Sequence, residues 1–363
     1  MKFQSKKESL LRGIQTVQNV TVGKSTLPIL SNVLIETLKN GIRMVGTDLD
    51  IGVICTADAT VTEEGSVTIP GKKFGDIVRD LPDSDIYFSA KKNSIVTIEC
   101  EKSFFRIMGL PKDEFPKIPD VHDKETFTID HIVLKEMLRM TSFAICHDET
   151  RYVLNGIYMV IGNGRIHLVA TDGRRLAIVS REVSLPKGLE KKVIISVKAV
   201  NELNRILEDT GSVKVAIDNN QIVFHLNDTV IISRLVEGEF PNYENVIPKE
   251  CKEKIKVDRE GFLASCKRVS LLTTHESQSI RIDLMKGKMV ISANTPDVGE
   301  AREEIDIDHK GGEISIGFNP NYLIDVLKNM DNKEVVLELT DGEKPGVIRD
   351  EGYVYVVLPM QLA

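Results

Sequence analysis

The chain has 363 residues, more than one ordinary domain holds, and 42% of them are hydrophobic, which is enough to build ordinary cores. Its formal net charge of −7 argues, taken alone, against nucleic acid as a partner, since phosphate-binding proteins are usually basic. No apolar run reaches the ~18 residues that a membrane span needs, and no apolar signal-peptide core follows the basic start Met1–Lys7. We therefore expect a soluble, cytoplasmic protein without a membrane partner.

Chemically reactive residues are dispersed along the chain. Five cysteines occur without a CxxC pair, a pattern that favours reduced thiols packed in cores over a disulfide framework or a zinc site. No Walker loop, HExxH or GxSxG motif is present. We therefore expect no catalytic residue, no metal and no cofactor. The cysteines are Cys55, Cys100, Cys146, Cys251 and Cys266.

In chain order, the first predicted element is a helix in which Leu10, Leu11, Ile14 and Val17 form one apolar stripe at helical spacing. Five similar stripes follow, and alternating or β-branched runs such as Ser31–Thr37 and Ile42–Gly46 separate them. The class is therefore α+β, with pairs of helices backed by antiparallel sheets. The helix windows are Lys6–Val20, Lys72–Leu81, Val133–Cys146, Lys198–Leu207, Arg259–Ser270 and Asn319–Met330.

One pattern occurs three times. Gly46-Thr47-Asp48 recurs 124 residues later as Ala170-Thr171-Asp172, and again after a further 123 residues, more weakly, as Ala293-Asn294-Thr295. Solenoid units run only ~20–50 residues, so this longer period indicates repeated domains. We expect three tandem similar domains, at residues 1–120, 121–248 and 249–363, each with two helices.

The predicted helices carry the positive charge. Over the six windows Lys and Arg exceed Asp and Glu by 7, so the rest of the chain must carry −14 to give the net −7. Basic helices on an acidic body supply weak, sequence-independent attraction to phosphates. Charge alone leaves open the alternative of a chance bias among solvated helix faces.

Four segments, in this order, closely resemble the bacterial DNA polymerase III beta subunit, or sliding clamp, family. They are Thr26–Leu30, Ala170–Ala177, Phe240–Tyr243 and Val356–Met360, and the resemblance extends over the whole chain. It implies the DNA clamp fold, closed as a head-to-tail homodimer into a six-domain ring around double-stranded DNA. It also implies a non-catalytic processivity factor of the replicative polymerase. The implied protein partners are the polymerase III alpha subunit, the clamp loader delta subunit, and other polymerases and repair proteins that carry clamp-binding peptides.

The resemblance implies three sets of site residues. The partner-peptide pocket would consist of Leu154, Thr171, Gly173, Arg174, Arg175, Leu176, Pro241, Val246, Val356, Leu358, Pro359 and Met360. The DNA contacts would come from Lys24, His147, Arg151, Tyr152 and Lys198. The dimer interface would use Lys73 and Phe105 on one edge, and Leu271, Leu272, Glu300, Glu303 and Glu304 on the other.

Plainer interpretations of these segments remain open at this stage. Leu271 and Leu272 could be core residues at a helix end, Asp172-Gly173 could simply form a hairpin turn, and the C-terminal run could be an edge strand. Arg174 and Gln361 stand where other members of the family often carry His and Arg, and Ala363 is an extra residue. We expect the apolar pocket to survive these changes and the peptide preference at its rim to differ from that of those members.

Two other classes of function compete with a clamp. An enzyme is disfavoured because no motif calls for one. A repeat-built scaffold that binds proteins but not DNA is compatible with the residues alone. Retention on circular but not on linear DNA would separate a ring from such a scaffold.

Overall fold

The computed structural model describes residues 1–21, 27–118, 126–274, 278–296 and 298–362. Within these ranges lie six α-helices and 25 β-strands. The helices are α1 Lys7–Gln18, α2 Gly71–Asp80, α3 His131–Ser142, α4 Val197–Ile206, α5 Arg259–Ser270 and α6 Pro320–Asn329. No helix in this part of the chain is both long enough and apolar enough to span a bilayer.

The strands follow the alternation expected from the sequence, and every pairing between them is antiparallel. In chain order they are β1 Lys2–Lys6, β2 Asn32–Leu38, β3 Gly41–Thr47, β4 Ile51–Ala57, β5 Thr60–Glu63, β6 Ser66–Pro70, β7 Asp85–Ala90, β8 Ile95–Cys100, β9 Ser103–Met108, β10 Thr126–Asp130, β11 Gly156–Gly162, β12 Arg165–Thr171, β13 Arg175–Glu182, β14 Lys191–Ser196, β15 Ser212–Ile217, β16 Gln221–Leu226, β17 Thr229–Arg234, β18 Glu253–Asp258, β19 Ile280–Met285, β20 Lys288–Thr295, β21 Gly299–Asp306, β22 Ile314–Phe318, β23 Glu334–Leu339, β24 Gly346–Asp350 and β25 Tyr353–Val357.

The first compact unit comprises Met1–Ile132 and Asn201–Leu235. It contains a five-stranded sheet in the order β5-β1-β7-β8-β9 and an eight-stranded sheet in the order β10-β15-β16-β17-β4-β3-β2-β6. Helix α1 packs against α2 and strand β4, and it fully buries Leu10, Ile14 and Val17. Each such side chain contributes about 2 kcal/mol through burial, so the predicted apolar stripe is what fixes the helix on the sheet.

The second compact unit comprises Val133–Val200 and Val236–Ala363. Its eight-stranded sheet has the order β14-β11-β12-β13-β25-β24-β23-β18, and its four-stranded sheet has the order β21-β20-β19-β22. Helices α5 and α6 pack together. Strand β25 lies between β13 and β24, so the C-terminal run is an interior strand and the edge-strand alternative is wrong.

The two units follow the sheets, not the sequence repeats. In the first unit β4 pairs with β17, and in the second β13 pairs with β25, so each eight-stranded sheet joins strands from two successive repeats. The division consequently falls inside the middle repeat, between Val200 and Asn201. Continuous backbone hydrogen bonding across a repeat boundary makes that boundary a poor place to separate the chain.

The six predicted helices are confirmed, and the largest difference in their bounds concerns the third. The third was expected to reach Cys146, but α3 ends at Ser142. Beyond it Ala144 and Ile145 donate backbone hydrogen bonds three residues back, and the N–H of Cys146 donates to the carbonyl of Leu154 at 3.1 Å. The apolar residues that follow α3 therefore belong to a turn that packs in the core, which the period of the pattern could not distinguish from a further helical turn.

Candidate functional site

An apolar pocket of about 180 Å³ opens in the second unit, where β13 leaves its turn and runs beside β25. Ten of the twelve residues assigned to a peptide pocket by resemblance line it, whereas Pro359 and Met360 lie beyond Leu358 at its edge. There the N–H of Met360 donates to the carbonyl of Gly317 at 2.8 Å. The lining residues are Leu154, Thr171, Gly173, Arg174, Arg175, Leu176, Pro241, Asn242, Tyr243, Val246, Val356 and Leu358.

The turn between β12 and β13 forms one wall of this pocket. The hydroxyl of Thr171 donates to the carbonyl of Arg175 at 2.6 Å and accepts the N–H of Gly173 at 3.0 Å. Asp172 Oδ1 accepts the N–H groups of Arg174 and Arg175 at 2.9 and 3.1 Å. Gly173 has φ +86°, a left-handed conformation that favours glycine. The hairpin turn predicted here is therefore present, and it is also part of the pocket.

Arg175 is held inside the protein, not presented at the rim. Its side chain is 10% exposed; one Nη donates to Asp325 at 2.6 Å and the other to the carbonyl of Phe143 at 2.6 Å. Its guanidinium also lies 4.6 Å from the ring centroid of Tyr322. Burial disfavours the charge, but Tyr355 and the two aspartates Asp325 and Asp172 outweigh it, and the pKa of Arg175 is raised.

Arg175 lines the pocket as predicted, and each of its three guanidinium nitrogens donates to an acceptor of the protein itself. Arg174 is exposed. In the part of the chain that the structure describes, the guanidinium of Arg174 makes no hydrogen bond or ion pair, so it remains available at the rim.

Stacked aromatic rings hold the opposite wall. Tyr158 of β11 stacks on Phe240 with 4.7 Å between centroids, and Tyr243 meets Tyr158 edge-on at 6.3 Å. This anchors the segment that places Pro241 and the half-exposed Val246 at the mouth. Asn242 and Tyr243 were not predicted as lining residues. The sequence could have indicated them, because both belong to the segment Phe240–Tyr243 that carries the family resemblance, and the whole segment shapes this wall.

The residues expected to touch DNA are exposed wherever the structure describes them. Lys24 lies outside the described residues, whereas His147, Arg151, Tyr152 and Lys198 are all exposed. Arg151 also donates to Asp148 at 3.2 Å and to the carbonyl of Asp172 at 2.7 Å. It therefore braces the pocket turn from outside, a contact that the sequence did not indicate.

The charge contrast persists with the observed helix bounds. The six helices hold 13 Lys and Arg against seven Asp and Glu, a balance of +6. Because the net charge of the chain is −7, all other residues together carry −13. The value is one less than predicted because α1 begins at Lys7 and leaves Lys6 in β1.

Four of the seven residues assigned to the dimer interface, Phe105, Glu300, Glu303 and Glu304, lie on two terminal strands, β9 and β21. Strand β9 ends the five-stranded sheet, and it exposes Phe104, Phe105 and Met108 by 55%, 38% and 66%. In the same unit, Lys73 of α2 is exposed. Such an apolar edge with unpaired backbone groups is a ready surface for another strand.

Strand β21 ends the four-stranded sheet of the second unit. Glu303 accepts from Arg268 at 2.6 Å, which lowers its pKa, and Glu304 pairs with Lys288 at 3.2 Å, which lowers its pKa as well. Glu300 is exposed. Leu271, after α5, is 77% exposed, so the core alternative is wrong for this residue, while Leu272 is half-buried.

Family models match the chain in three consecutive stretches. The models of the N-terminal, central and C-terminal domains of the DNA polymerase III beta subunit cover residues 1–119, 128–242 and 244–361. The chain belongs to the DNA polymerase III beta subunit family. Its fold is the clamp fold, and its function is that of the family, a non-catalytic processivity clamp of DNA polymerase.

Relatives match over the full length. The beta sliding clamp of Chlamydia pneumoniae is 33% identical over 363 residues, covering 100% of this chain and 99% of its own. That of Proteus mirabilis is 33% identical over 370 residues and is covered completely. Among solved structures, the sliding clamp of Bartonella birtlesii bound to griselimycin has a TM-score of 0.95 at 33% identity, with 100% of both chains covered. The sliding clamp of Bacillus subtilis reaches 0.96 at 28% identity, with the same coverage.

Proposed function

We propose that the pocket beside β13 and β25 binds short apolar peptides of replication proteins and so tethers them to a ring of this chain around duplex DNA. The observation that carries the proposal is the convergence of ten separately assigned residues on one apolar pocket. The proposed partners are the polymerase III alpha subunit, the clamp loader delta subunit, and other polymerases and repair proteins that carry such peptides. The proposed setting is the cytoplasm, where bacterial DNA is replicated.

The chemistry of the pocket supports an apolar peptide. Leu154, Leu176 and Val356 are more than nine-tenths buried and form its floor, while Val246 and Leu358 are 50% and 41% exposed at its mouth. Small ligand sites of this kind bind through apolar contact and use a few polar groups for orientation. Arg174, free at the rim, suits a backbone carbonyl or an acidic side chain of the peptide.

The sheet edges support a head-to-tail dimer. We propose that β9 of one copy lies beside β21 of another, since each is the last strand of its sheet. The exposed Phe105 would meet Leu271, and Lys73 would face Glu300. A contact between two different edges repeats in one direction and closes into a ring when the rotation permits. The three domains of each copy would be residues 1–120, 121–248 and 249–363, giving six in the ring.

The helices support sequence-independent contact with DNA. A balance of +6 spread over six helices gives few phosphate contacts per helix, which suits movement along the duplex better than fixed docking. We propose that His147, Arg151, Tyr152 and Lys198 contribute to this surface, together with Lys24.

The pocket is tested by Val246→Asp, because this side chain is exposed and its replacement disturbs the peptide surface without opening a core. We expect affinity for a fluorescent peptide from the polymerase alpha subunit to fall at least tenfold, and primer extension to lose processivity. The matched control is Leu38→Asp, at a 41% exposed leucine at the end of β2. This variant should change neither the peptide affinity nor the processivity. Unchanged peptide binding by Val246→Asp, with light scattering showing the same mass, would contradict the proposed pocket.

A further inference from the structure

The turn that shapes the peptide pocket occurs a second time, in the first unit, between β3 and β4. The hydroxyl of Thr47 donates to the carbonyl of Ile51 at 2.8 Å and accepts the N–H of Leu49 at 3.1 Å. Asp48 Oδ1 accepts the N–H groups of Asp50 and Ile51 at 3.0 and 2.9 Å. Each of these four bonds has its equivalent in the turn of the peptide pocket.

The strand beside this turn is equivalent too. The N–H of Arg234, at the end of β17, donates to the carbonyl of Asp50 at 2.9 Å. In the peptide pocket the N–H of Leu358 donates to the carbonyl of Arg174, also at 2.9 Å. Two repeats of the chain therefore build the same backbone frame, and the side chains on it decide what each frame can bind.

A cavity of about 630 Å³ opens beside this second turn, and we call it the first-unit cavity; its lining includes Thr47–Gly52, Pro116–Ile118, Ile232 and Arg234. Its floor is apolar. Ile232 is 8% exposed, and Ile118 packs so closely that a Cβ added to Gly52 would lie 3.2 Å from its Cδ1. The residue equivalent to Gly52 in the peptide pocket is Leu176, so at this position of the frame Ile118 packs where the peptide pocket has a leucine side chain.

Leu49 stands at the mouth of this cavity in a conformation that leucine rarely adopts. Its φ is +80° and it is 47% exposed, whereas its counterpart Gly173 has φ +86°. A side chain at positive φ costs about 1–2 kcal/mol relative to glycine. The turn thus holds an exposed apolar side chain beside the cavity, at a position where glycine would be less strained. Strained residues of this kind cluster at binding sites.

Two cations at the cavity are available to a ligand. Lys117 and Arg234 are exposed, and within the described ranges neither side chain makes a hydrogen bond or an ion pair. The acidic residues of the lining are already engaged: Asp48 caps its own turn, and Asp50 holds an interaction within the chain. The charged groups at the first-unit cavity that a ligand could pair with are therefore the positive side chains of Lys117 and Arg234.

We propose that the first-unit cavity is a second peptide-binding site, for an extended segment in which acidic side chains flank an apolar one. The apolar side chain lies against Leu49, Ile118 and Ile232, and the carboxylates meet Lys117 and Arg234. The ligand class rests on the proposed function, because it follows from the shared frame. The preference for acidic residues does not rest on the proposed function, since it follows from the two cations Lys117 and Arg234.

Methyl NMR of the full-length chain, with labelled Ile, Leu and Val methyls, tests this proposal. The probe is the blocked peptide acetyl-Glu-Asp-Leu-Glu-Asp-amide, and the control probe has Gln and Asn in place of Glu and Asp. We expect saturable shifts of the Ile118 and Ile232 methyls with the acidic peptide and at least tenfold weaker binding of the control. The double variant Lys117→Ala with Arg234→Ala should lose at least tenfold in affinity. The matched control, Lys39→Ala with Lys92→Ala, removes two exposed lysines of the same unit and should bind normally.

The outcomes are distinguishable. Shifts confined to Val356 and Leu358, equal shifts with both peptides, or unchanged binding by the double variant would each overturn the second site. A separate titration with the polymerase-derived apolar peptide reports on the proposed pocket through Val356 and Leu358. Failure there would count against the proposed function, whatever happens at Ile118 and Ile232.

Discussion

At the scale of single residues, Arg175 is a structural cation beneath a binding surface. Its guanidinium links Asp172 of the pocket turn to Asp325 of α6 and to the carbonyl of Phe143. A buried charge with several partners is costly to interrupt, because each partner left behind stays desolvated. The shape of the pocket turn thus depends on a residue whose charged end is paired within the protein.

We therefore expect Arg175→Met to lower the free energy of unfolding by about 3–5 kcal/mol, since it leaves two carboxylates without their buried partner. Urea unfolding followed by circular dichroism measures this. Arg174→Met is the matched control; it is exposed and should shift stability by less than about 0.5 kcal/mol. Equal stability of the two variants would show that the Arg175 contacts contribute nothing net.

The reactivity of the cysteines is also set by the surroundings of single residues. All five are free thiols, four of them buried and Cys251 partly exposed. Burial raises the pKa of Cys266 to about 12. It also raises the pKa of Cys251, although to a smaller extent. The predicted role in packing fits these positions.

We expect iodoacetamide at pH 8 to label Cys251 first in the native protein, because the thiolate is the reactive form and Cys266 is almost entirely protonated at that pH. Mass spectrometry of the intact chain should show one early adduct, and five after denaturation. Cys251→Ser should remove the early adduct. Labelling of Cys266 at a comparable rate would mean that α5 opens readily in the native state.

At the scale of elements, β9 and β21 are terminal strands of their sheets: β9 exposes Phe104, Phe105 and Met108, and β21 carries Glu300, Glu303 and Glu304. Natural proteins usually protect such edges, so an unprotected one indicates a partner. The acidic residues on and beside β21 are partly neutralised by Arg268 and Lys288. In the proposed interface, specific attraction to the other edge would consequently be left to Glu300 and to the apolar side chain of Leu271.

We expect Leu271→Asp to convert a dimer into a monomer, since losing a central apolar anchor and burying a charge weakens association by at least about 2 kcal/mol, or roughly thirtyfold. Light scattering at micromolar concentration measures the mass. Circular dichroism should be unchanged, because the wild-type side chain is 77% exposed and packs little within its own copy. A dimer that persists would exclude this edge from the interface.

At the scale of the whole molecule, a net charge of −7 coexists with a DNA-binding role because the basic residues concentrate on the helices. A ring is retained by topology, so strong affinity is unnecessary and would oppose sliding. Binding that relied only on phosphate contacts would fall steeply with salt.

We expect the chain, once loaded on nicked circular DNA, to stay bound at 0.5 M salt and to dissociate when the circle is cut by a restriction enzyme. Gel filtration of the labelled protein with the DNA measures retention. A loaded circle that is not cut is the control. Equal release from circular and linear DNA would exclude encirclement and favour a scaffold that binds the surface of the duplex.

Much of the fold followed from local pattern. The six helices, the strand alternation and the threefold repeat depend on periodicity and on turn chemistry, which act over a few residues and are legible in the chain. The end of α3 was the exception, because the buried residues after Ser142 have the same apolar character whether they continue a helix or pack in a turn. The site residues came from resemblance, which located the pocket but could not show which way a side chain points.

The sequence by itself determined that mostly basic helices alternate with acidic strand regions in three similar units. Only the tertiary structure decided that sheets continue from one repeat into the next, that the Arg175 guanidinium is paired within the protein, and that Leu271 is exposed. It also showed that the turn at Thr47 repeats the one at Thr171 beside a second cavity. The reason is physical: pairing between distant strands and the direction of a side chain depend on non-local contacts, which a linear pattern does not encode.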